Sequence, residues 1–362
     1  MIMEPTSRPY VSVIIPAYNA QAFISFAIES VMIQPFKEIE VLVLDDQSSD
    51  DTLSVCRTLK KTYPRLRIFE LRKCGAGAAR NIGIRNAEGV WVMFIDSDDL
   101  YLKDAINESF SNKLREFEKN GVDVIYTPTA FSDYAIVEQL KKIPLETDPG
   151  IIPSTHFGGC IYRREFLINK HLAFYEYQKQ DIETAFRFLV KLSADKIVAD
   201  DSMLFYLRRD NPKSNTHTWD IQDVSEVKSL VYYDLYKKNT NDEKIRDLLY
   251  KVCLQQMNYY FRNCNCTRFV KDRAAFSKMR SIYMISLMKN GFLTRRIFGY
   301  RWILGSLRDY VQAVLFSRNS SPKTGTTKVE EKPLPEINST CLFRRYMLAS
   351  SFLLERSSET FK

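Results

Sequence analysis

Residues 90–99, Val-Trp-Val-Met-Phe-Ile-Asp-Ser-Asp-Asp, constrain the fold more than any other stretch of the sequence. The apolar part is rich in β-branched and aromatic residues, which is typical of a strand buried on both faces. It ends in closely spaced carboxylates, which repel one another and resist burial unless a cation neutralises them. On an extended backbone Asp96 and Asp98 would point to one side. This strand end predicts a functional site; the structural alternative is that Asp99 caps a helix over Leu100–Lys119.

The first part of the chain alternates between strand and helix patterns. Strands are predicted at Val11–Pro16, Ile39–Leu44, Arg67–Leu71, Val90–Ile95 and Val122–Thr127, with helical patterns between most of them. This alternation predicts an α/β fold with a doubly wound, mainly parallel sheet. Ligands bind at the carboxyl ends of the strands in such sheets. The conspicuous polar residues all follow strand ends: Tyr18, Asn19, Asp45, Asp46, Asp96 and Asp98.

Composition sets outer limits on what the protein is. The chain has 362 residues, of which 45% are hydrophobic and 27% charged, as in a folded globular protein with room for a second, smaller unit. The net charge of +8 favours phosphates or anionic lipid without distinguishing them. Seven cysteines in no regular framework predict free thiols in a reducing compartment. With no secretory signal in Met1–Pro9 and no apolar run of about 18 residues, we expect a cytoplasmic protein without a membrane-spanning helix.

Four motifs follow one another along residues 9–215. They are Val-Ser-Val-Ile-Ile-Pro-Ala-Tyr-Asn at 11–19, the segment Glu40–Thr52, Gly-Ala-Gly-Ala-Ala-Arg-Asn-Ile-Gly at 75–83, and Asp-Ser-Asp-Asp at 96–99. Each motif alone is weakly specific, but their order and spacing resemble glycosyltransferase family 2. The resemblance implies a GT-A fold, which binds nucleotide-diphospho-sugars, and sugar transfer with inversion at the anomeric carbon.

The resemblance implies a donor site along the carboxyl edge of the sheet. Tyr18 can pack against a flat base, and Asp46 can accept a hydrogen bond from a uracil N–H. Arg80 stands near the start of a helix, which favours anions, so it could face the nucleotide or brace the acidic strand ends. Lys73 departs from the Asn that the family commonly carries. The expected donor-binding residues are Pro16, Tyr18, Asn19, Asp46, Gly75, Arg80, Asp96 and Ser97.

A departing nucleoside diphosphate needs its charge neutralised. A hard divalent cation does this while held by few carboxylates, because phosphate oxygens fill its other coordination positions. The resemblance implies that Asp98 binds Mn²⁺ or Mg²⁺, while Asp96 contacts the ribose or a metal-bound water. Asp99 is a further candidate at the same turn.

Inversion needs a base that takes the proton of the acceptor hydroxyl. The family places an Asp after a Glu at the start of a helix, and Asp181 matches that Asp, although Gln180 replaces the Glu. Glu183 is the reserve candidate, and the structural alternative for Asp181 is a plain helix cap. On the acceptor side, Gly158 and Gly159 would let a sugar approach closely. Downstream, Arg209 or His217 would touch the diphosphate.

The predicted organisation has four parts. Residues 1–220 form the GT-A domain, with a donor half at 9–130 and an acceptor half at 131–220. A helical region follows at 221–316, then a flexible linker at 317–340 and a short apolar tail at 341–362. Within the helical region, Gly291–Arg318 is basic, aromatic and amphipathic. It suits either peripheral contact with the inner face of the cytoplasmic membrane or a core helix with snorkelling arginines.

Taken together, the residues and the family resemblance imply an inverting, metal-dependent transferase. It would move a hexose or N-acetylhexosamine from a UDP-sugar to a hydroxyl of a glycan or lipid-linked glycan, in cell-surface polysaccharide or lipopolysaccharide synthesis. Nucleic acid is not expected as a partner, because no nucleic-acid motif accompanies the charge. A sugar nucleotidyltransferase is the alternative enzyme, but residues 16–19 lack its basic glycine-rich loop. An inactive nucleotide-sugar-binding scaffold is the other alternative, suggested by Gln180.

Overall fold

The computed structural model describes residues 8–133, 136–143, 157–176, 182–210, 229, 231–237, 243–267, 277 and 279–283. Its strands are β1 (Val11–Ala17), β2 (Ile39–Asp45), β3 (Leu66–Glu70), β4 (Trp91–Phe94), β5 (Leu100–Tyr101), β6 (Val124–Tyr126), β7 (Thr129–Asp133), β8 (Ile136–Ile143), β9 (Cys160–Arg163), β10 (Ile197–Ala199) and β11 (Tyr206–Asp210). Its helices are α1 (Ile24–Met32), α2 (Thr52–Lys60), α3 (Ala76–Asn86), α4 (Glu108–Lys119), α5 (Arg164–Asn169), α6 (Ile182–Ser193) and α7 (Glu243–Thr267).

The centre of the fold is a mostly parallel sheet in the order β10-β6-β9-β4-β1-β2-β3. β1 pairs in parallel with both β2 and β4, so the carboxyl ends of these strands share one edge. Only β9 runs antiparallel to its neighbours β4 and β6. All five strands predicted from the sequence lie in this sheet, and the predicted α/β fold is confirmed.

Hydrophobic packing covers both faces of the sheet. Val13 and Val41 belong to the core on one face, whereas their neighbours Ile14 and Leu42 belong to the core on the other. Side chains alternate between the faces of a strand, so near-continuous Val and Ile runs are needed where both faces are covered. That requirement explains why these strands could be predicted from the sequence.

A second, smaller sheet has the order β5-β11-β7-β8. β7 and β8 form an antiparallel pair. β11 pairs with β5, which directly follows the acidic turn after β4. The second sheet therefore reaches the carboxyl edge of the first.

The helix predicted over Leu100–Lys119 is wrong in its first part. Leu100 and Tyr101 form β5 instead, because they pair with β11. The helix begins only at Glu108, where the Asn107 side chain accepts a hydrogen bond of 3.1 Å from the Phe110 amide. Asp99 is therefore not a helix cap, and the interpretation of this strand end as a capping site is wrong.

Beyond residue 220, the described residues lie in helices. They include residues 231–237 and 279–283 as well as α7. These helices pack against Ala185 and Phe188 of α6. The proposed linker, the apolar tail and the amphipathic stretch 291–318 lie outside the described residues.

Two further observations concern only the described residues. None of the helices there has both the length and the apolar character needed to cross a membrane. Cys56, Cys74, Cys160 and Cys253, the cysteines for which a bonding state is given, form no disulfide.

Candidate active site

The loops after β1 and β2 are joined to each other at the carboxyl edge of the sheet. Asn19 accepts a hydrogen bond of 2.8 Å from the Ser49 amide through Oδ1, and its own amide donates to Ser48 Oγ at 3.0 Å. Its φ of 49° lies in the left-handed region, which Asn tolerates better than most residues. Asn19 thus fixes the loop that carries Tyr18, and Pro16 lies just upstream on β1.

Asp46 connects this edge to the glycine-rich segment. Its carboxylate accepts hydrogen bonds from the Cys74 amide at 2.6 Å and the Gly75 amide at 2.9 Å. Gly75 has a φ of 86°, a conformation that favours glycine, and it immediately precedes α3. Both residues belong to the predicted donor set, and the structure brings them into direct contact.

Tyr18 presents an aromatic ring at the mouth of this loop cluster. Its side chain is 47% exposed, which is unusual for a large ring in the described part of the chain. Lys73 Nζ lies 4.5 Å from the ring centroid and 3.2 Å from the hydroxyl. An exposed ring beside the Asp46 loop offers a stacking surface for a base, with a cation next to it.

The Asp96–Asp99 segment forms a tight turn after β4, with the Asp99 amide donating to the Asp96 carbonyl at 3.0 Å. Asp96, Ser97 and Asp98 are partly exposed, whereas Asp99 is buried and accepts a hydrogen bond from the Tyr206 hydroxyl. Burial raises the pKa of Tyr206, and the charges of Asp99, Asp96 and Asp98 raise it further. The three carboxylates therefore form one negative cluster, in which Asp99 faces the protein interior.

Arg80 braces the acidic turn, which is one of the two roles that the sequence allowed for it. It is buried, and Nη2 contacts Asp96 Oδ1 at 2.7 Å and Glu183 Oε1 at 2.9 Å. Burial acts to lower the pKa of Arg80, but Glu183 and Asp96 outweigh it and raise the pKa above its ordinary value. Arg80 joins the donor side of the edge to the start of α6.

The two glycines predicted on the acceptor side are buried in a short 3-10 turn, Phe157–Gly159. A Cβ on Gly158 would lie 1.9 Å from the Tyr206 ring, so the ring already fills the space beside that glycine. The Gly159 carbonyl accepts two hydrogen bonds of 2.9 Å, from the Thr127 amide and the Thr127 hydroxyl. Gly158 thus allows close packing against Tyr206, and Gly159 is held through its backbone by Thr127.

Some predicted site residues cannot be placed. Asp181 and His217 lie outside the described residues, and of Arg209 only the backbone in β11 is described. The contact between Tyr206 and Asp99 was missed by the sequence analysis, since 107 residues separate the pair. The position of Lys73 over Tyr18 was also missed, although its departure from the family pattern was the available signal.

The carboxylate oxygens at the acidic turn are suitable ligands for a hard divalent cation. Within the described ranges, no group of three or more His, Cys, Asp or Glu side chains forms a complete metal site. Asp96 and Asp98 are carboxylates and partly exposed, which suits a cation that takes most of its ligands from phosphate and water. An arrangement of this kind can bind an anionic ligand through a shared metal ion.

Comparisons with known proteins show which proteins this chain is similar to. The model of the family described as Glycosyl transferase family 2 matches residues 12–169. An uncharacterized glycosyltransferase of Rickettsia felis is 49% identical over 26% of this chain and 16% of its own length. The GalNAc(5)-diNAcBac-PP-undecaprenol beta-1,3-glucosyltransferase of Campylobacter jejuni is 41% identical over 27% of this chain and 33% of its own length. The aligned part thus spans a third or less of either relative.

Among solved structures, S. aureus TarS 1-349 in complex with UDP-GlcNAc superposes with a TM-score of 0.59. The match has 18% sequence identity and covers 90% of this chain and 98% of the TarS chain. This likeness establishes a shared GT-A-like fold. Over residues 12–169, this chain is similar to glycosyltransferase family 2.

Proposed function

We propose that the protein is an inverting glycosyltransferase that moves a hexose or N-acetylhexosamine from a UDP-sugar to a hydroxyl of a glycan acceptor. The proposal rests on a continuous series of contacts along the carboxyl edge of the central sheet. Asp46 holds Gly75 at the start of α3, and Arg80 on the same helix holds Asp96. The base-binding loops and the acidic turn are therefore parts of one rigid arrangement.

The donor would lie along this edge. Its uracil would stack on Tyr18 and donate its ring N–H to Asp46, leaving the diphosphate near the positively polarised start of α3. Asp98, with help from Asp96, would hold Mn²⁺ or Mg²⁺. When bound, that ion neutralises the charge that builds up on the departing diphosphate.

The acceptor would approach from the side of α6. Asp181 precedes this helix in the sequence, and we assign it the role of base for the acceptor hydroxyl. Removal of that proton as the hydroxyl attacks from the face opposite the diphosphate inverts the anomeric carbon. Arg209 is assigned a contact with the diphosphate from the second sheet.

The acceptor class follows from the relatives only in outline. The printed name of the Campylobacter relative contains an undecaprenol-linked glycan, which supports a lipid-linked or cell-surface glycan as the acceptor here. We place the reaction in the cytoplasm, with residues 291–318 as a peripheral contact on the membrane. Vesicle flotation with and without anionic lipid tests that contact.

A panel of UDP-sugars incubated with the purified protein, Mn²⁺ and candidate acceptors tests the function. We expect metal-dependent release of UDP and a product whose anomeric configuration is opposite to that of the donor. Release of pyrophosphate from a sugar phosphate and UTP would favour the nucleotidyltransferase instead. Tight UDP-sugar binding with neither product, across the whole panel, would favour an inactive scaffold.

A further inference from the structure

One buried guanidinium is shared by two carboxylates that belong to different parts of the site. Arg80 Nη2 lies 2.7 Å from Asp96, in the acidic turn after β4, and 2.9 Å from Glu183, in the first turn of α6. Both carboxylates keep 34% of their side-chain surface exposed, whereas Arg80 keeps 4%. The charged head therefore lies in the interior, and its partners lie at the rim of the site.

Aromatic rings hold Arg80 in place from within. The guanidinium carbon lies 5.2 Å from the Phe157 ring centroid and 5.5 Å from that of Phe174. Asn81, the next residue on α3, binds the Phe174 backbone through hydrogen bonds of 2.7 Å and 2.9 Å. Because a buried charge is costly without its partners, this setting requires Arg80 to keep both carboxylates. The Arg80 contacts therefore fix the distance between the acidic turn and α6.

Asp181, the residue predicted to remove the acceptor proton, immediately precedes α6 in the sequence. Its first described residue is Ile182, and Glu183 is held by Arg80. Resting on the proposed function, we propose that Arg80 and Glu183 are positioning residues that hold the start of α6, next to Asp181 in the sequence, against the donor carboxylates. Glu183 is thus assigned to the ion pair and not to the role of reserve base.

The arrangement also predicts communication between donor and acceptor sides. A diphosphate and its cation at the acidic turn would change the charge around Asp96. Since Arg80 contacts Asp96 and Glu183 through the same nitrogen, donor binding would act directly on the start of α6. Arginine is suited to this role, because one terminal guanidinium nitrogen carries two N–H donors, one for each carboxylate.

The chain offers a matched control away from the site. Arg67 is also shared by two carboxylates, with distances of 2.8 Å to Glu40 and 2.9 Å to Glu88. Glu88 follows the end of α3 and precedes β4, so this triad lies at the opposite edge of the sheet. Glu88→Gln removes one carboxylate from a shared arginine, as Glu183→Gln does, but leaves the acidic turn untouched.

The test compares Glu183→Gln with Glu88→Gln in the full-length protein, by kcat and by calorimetric UDP affinity with Mn²⁺. A displaced catalytic group costs rate more than binding, so we expect kcat of Glu183→Gln to fall by about ten- to a hundredfold. We expect its UDP affinity to stay within about threefold of wild type, and Glu88→Gln to match wild type in both. Arg80→Lys keeps the charge but not the planar guanidinium beside Phe157 and Phe174. We expect it to lose kcat while retaining more rate than Arg80→Gln.

Amide hydrogen exchange of α6 gives a readout that does not depend on turnover. UDP with Mn²⁺ should slow exchange in α6 of wild type and Glu88→Gln, and should leave Glu183→Gln unchanged. Equal slowing in all three proteins, or a kcat of Glu183→Gln equal to that of Glu88→Gln, would overturn the inference alone. A wild-type protein that binds no UDP would instead contradict the proposed function, and the inference with it.

Discussion

The Tyr206 hydroxyl donates a hydrogen bond to Asp99, which joins the second sheet to the acidic turn of the first. Tyr206 is fully buried, and Gly158 lets its ring approach the 3-10 turn that precedes β9. Asp99 is thereby held inside the protein while Asp96 and Asp98 remain partly exposed. One carboxylate of the turn supports the structure, and two remain accessible to a ligand.

Gly158→Ala should destabilise the protein and reduce its activity. The new Cβ would lie 1.9 Å from the Tyr206 ring, so the ring must move and pull its hydroxyl from Asp99. Overpacking of a core costs about 1–3 kcal/mol, and we expect at least that loss in the free energy of unfolding measured with urea. Gly121→Ala is the control, since nothing lies within 4 Å of its Cβ and only its φ of +69° is unfavourable. Equal losses in the two variants would show that the Tyr206 contact is unimportant.

Asp98→Asn should abolish the metal dependence of the protein. An amide is a weaker ligand for a hard cation than a carboxylate, so the variant should bind UDP equally with and without Mn²⁺ in calorimetry. UDP release from the donor should fall by about a hundredfold or more, as for loss of a main electrostatic stabiliser. Asp104→Asn, an exposed change shortly after β5, should behave as wild type. Substantial Mn²⁺-stimulated turnover by Asp98→Asn would exclude the metal role.

Asp181→Asn should separate binding from chemistry. An amide cannot take a proton from the acceptor hydroxyl, so kcat should fall by about a hundredfold or more while UDP affinity stays unchanged. The matched control is Asp195→Asn, just beyond the other end of α6, where the carboxylate is 86% exposed. A near-normal rate for Asp181→Asn would move the base to another residue, and Glu183→Gln would then be the first variant to compare.

Asp200 should make stability depend on acid pH. Partial burial acts to raise its pKa, but hydrogen bonds from Lys113 and Ser202 outweigh it and hold the pKa below the ordinary value of 3.8. The folded protein thus releases this proton more readily than the unfolded chain does, and the contribution is complete above that ordinary value and lost as pH falls below it. The Tm difference between wild type and Asp200→Asn should therefore be constant at neutral pH and shrink below about pH 4. A difference independent of pH would contradict the assignment to Asp200.

The sheet was predictable because its strands are buried on both faces and leave long apolar runs, as at Ile39–Asp45. Strand direction was not, since β9 is antiparallel and its pattern resembles that of a parallel strand. β5 was hidden because its two residues are held by β11, which lies far away in the sequence. Edge pairing of this kind depends on the assembled fold and leaves no local signal.

The candidate site, like the fold, could be predicted only in part from the sequence. Tyr18, Asp46 and the acidic turn follow strand ends, so topology alone brings them to one edge. For Arg80 the sequence allowed either a contact with the nucleotide or a bracing role at the acidic turn. It could not decide between them, because the sequence around an arginine does not show whether its side chain is buried or faces a ligand. Only the contacts with Asp96 and Glu183 distinguish them.

The most direct measurement is a crystal structure of the protein with UDP and Mn²⁺, using anomalous scattering to locate the metal. The account predicts an anomalous peak at the Asp98 carboxylate, with the uracil beside Tyr18 and Asp46. A nucleotide bound elsewhere, or a Mn²⁺ peak away from residues 96–98, would contradict it.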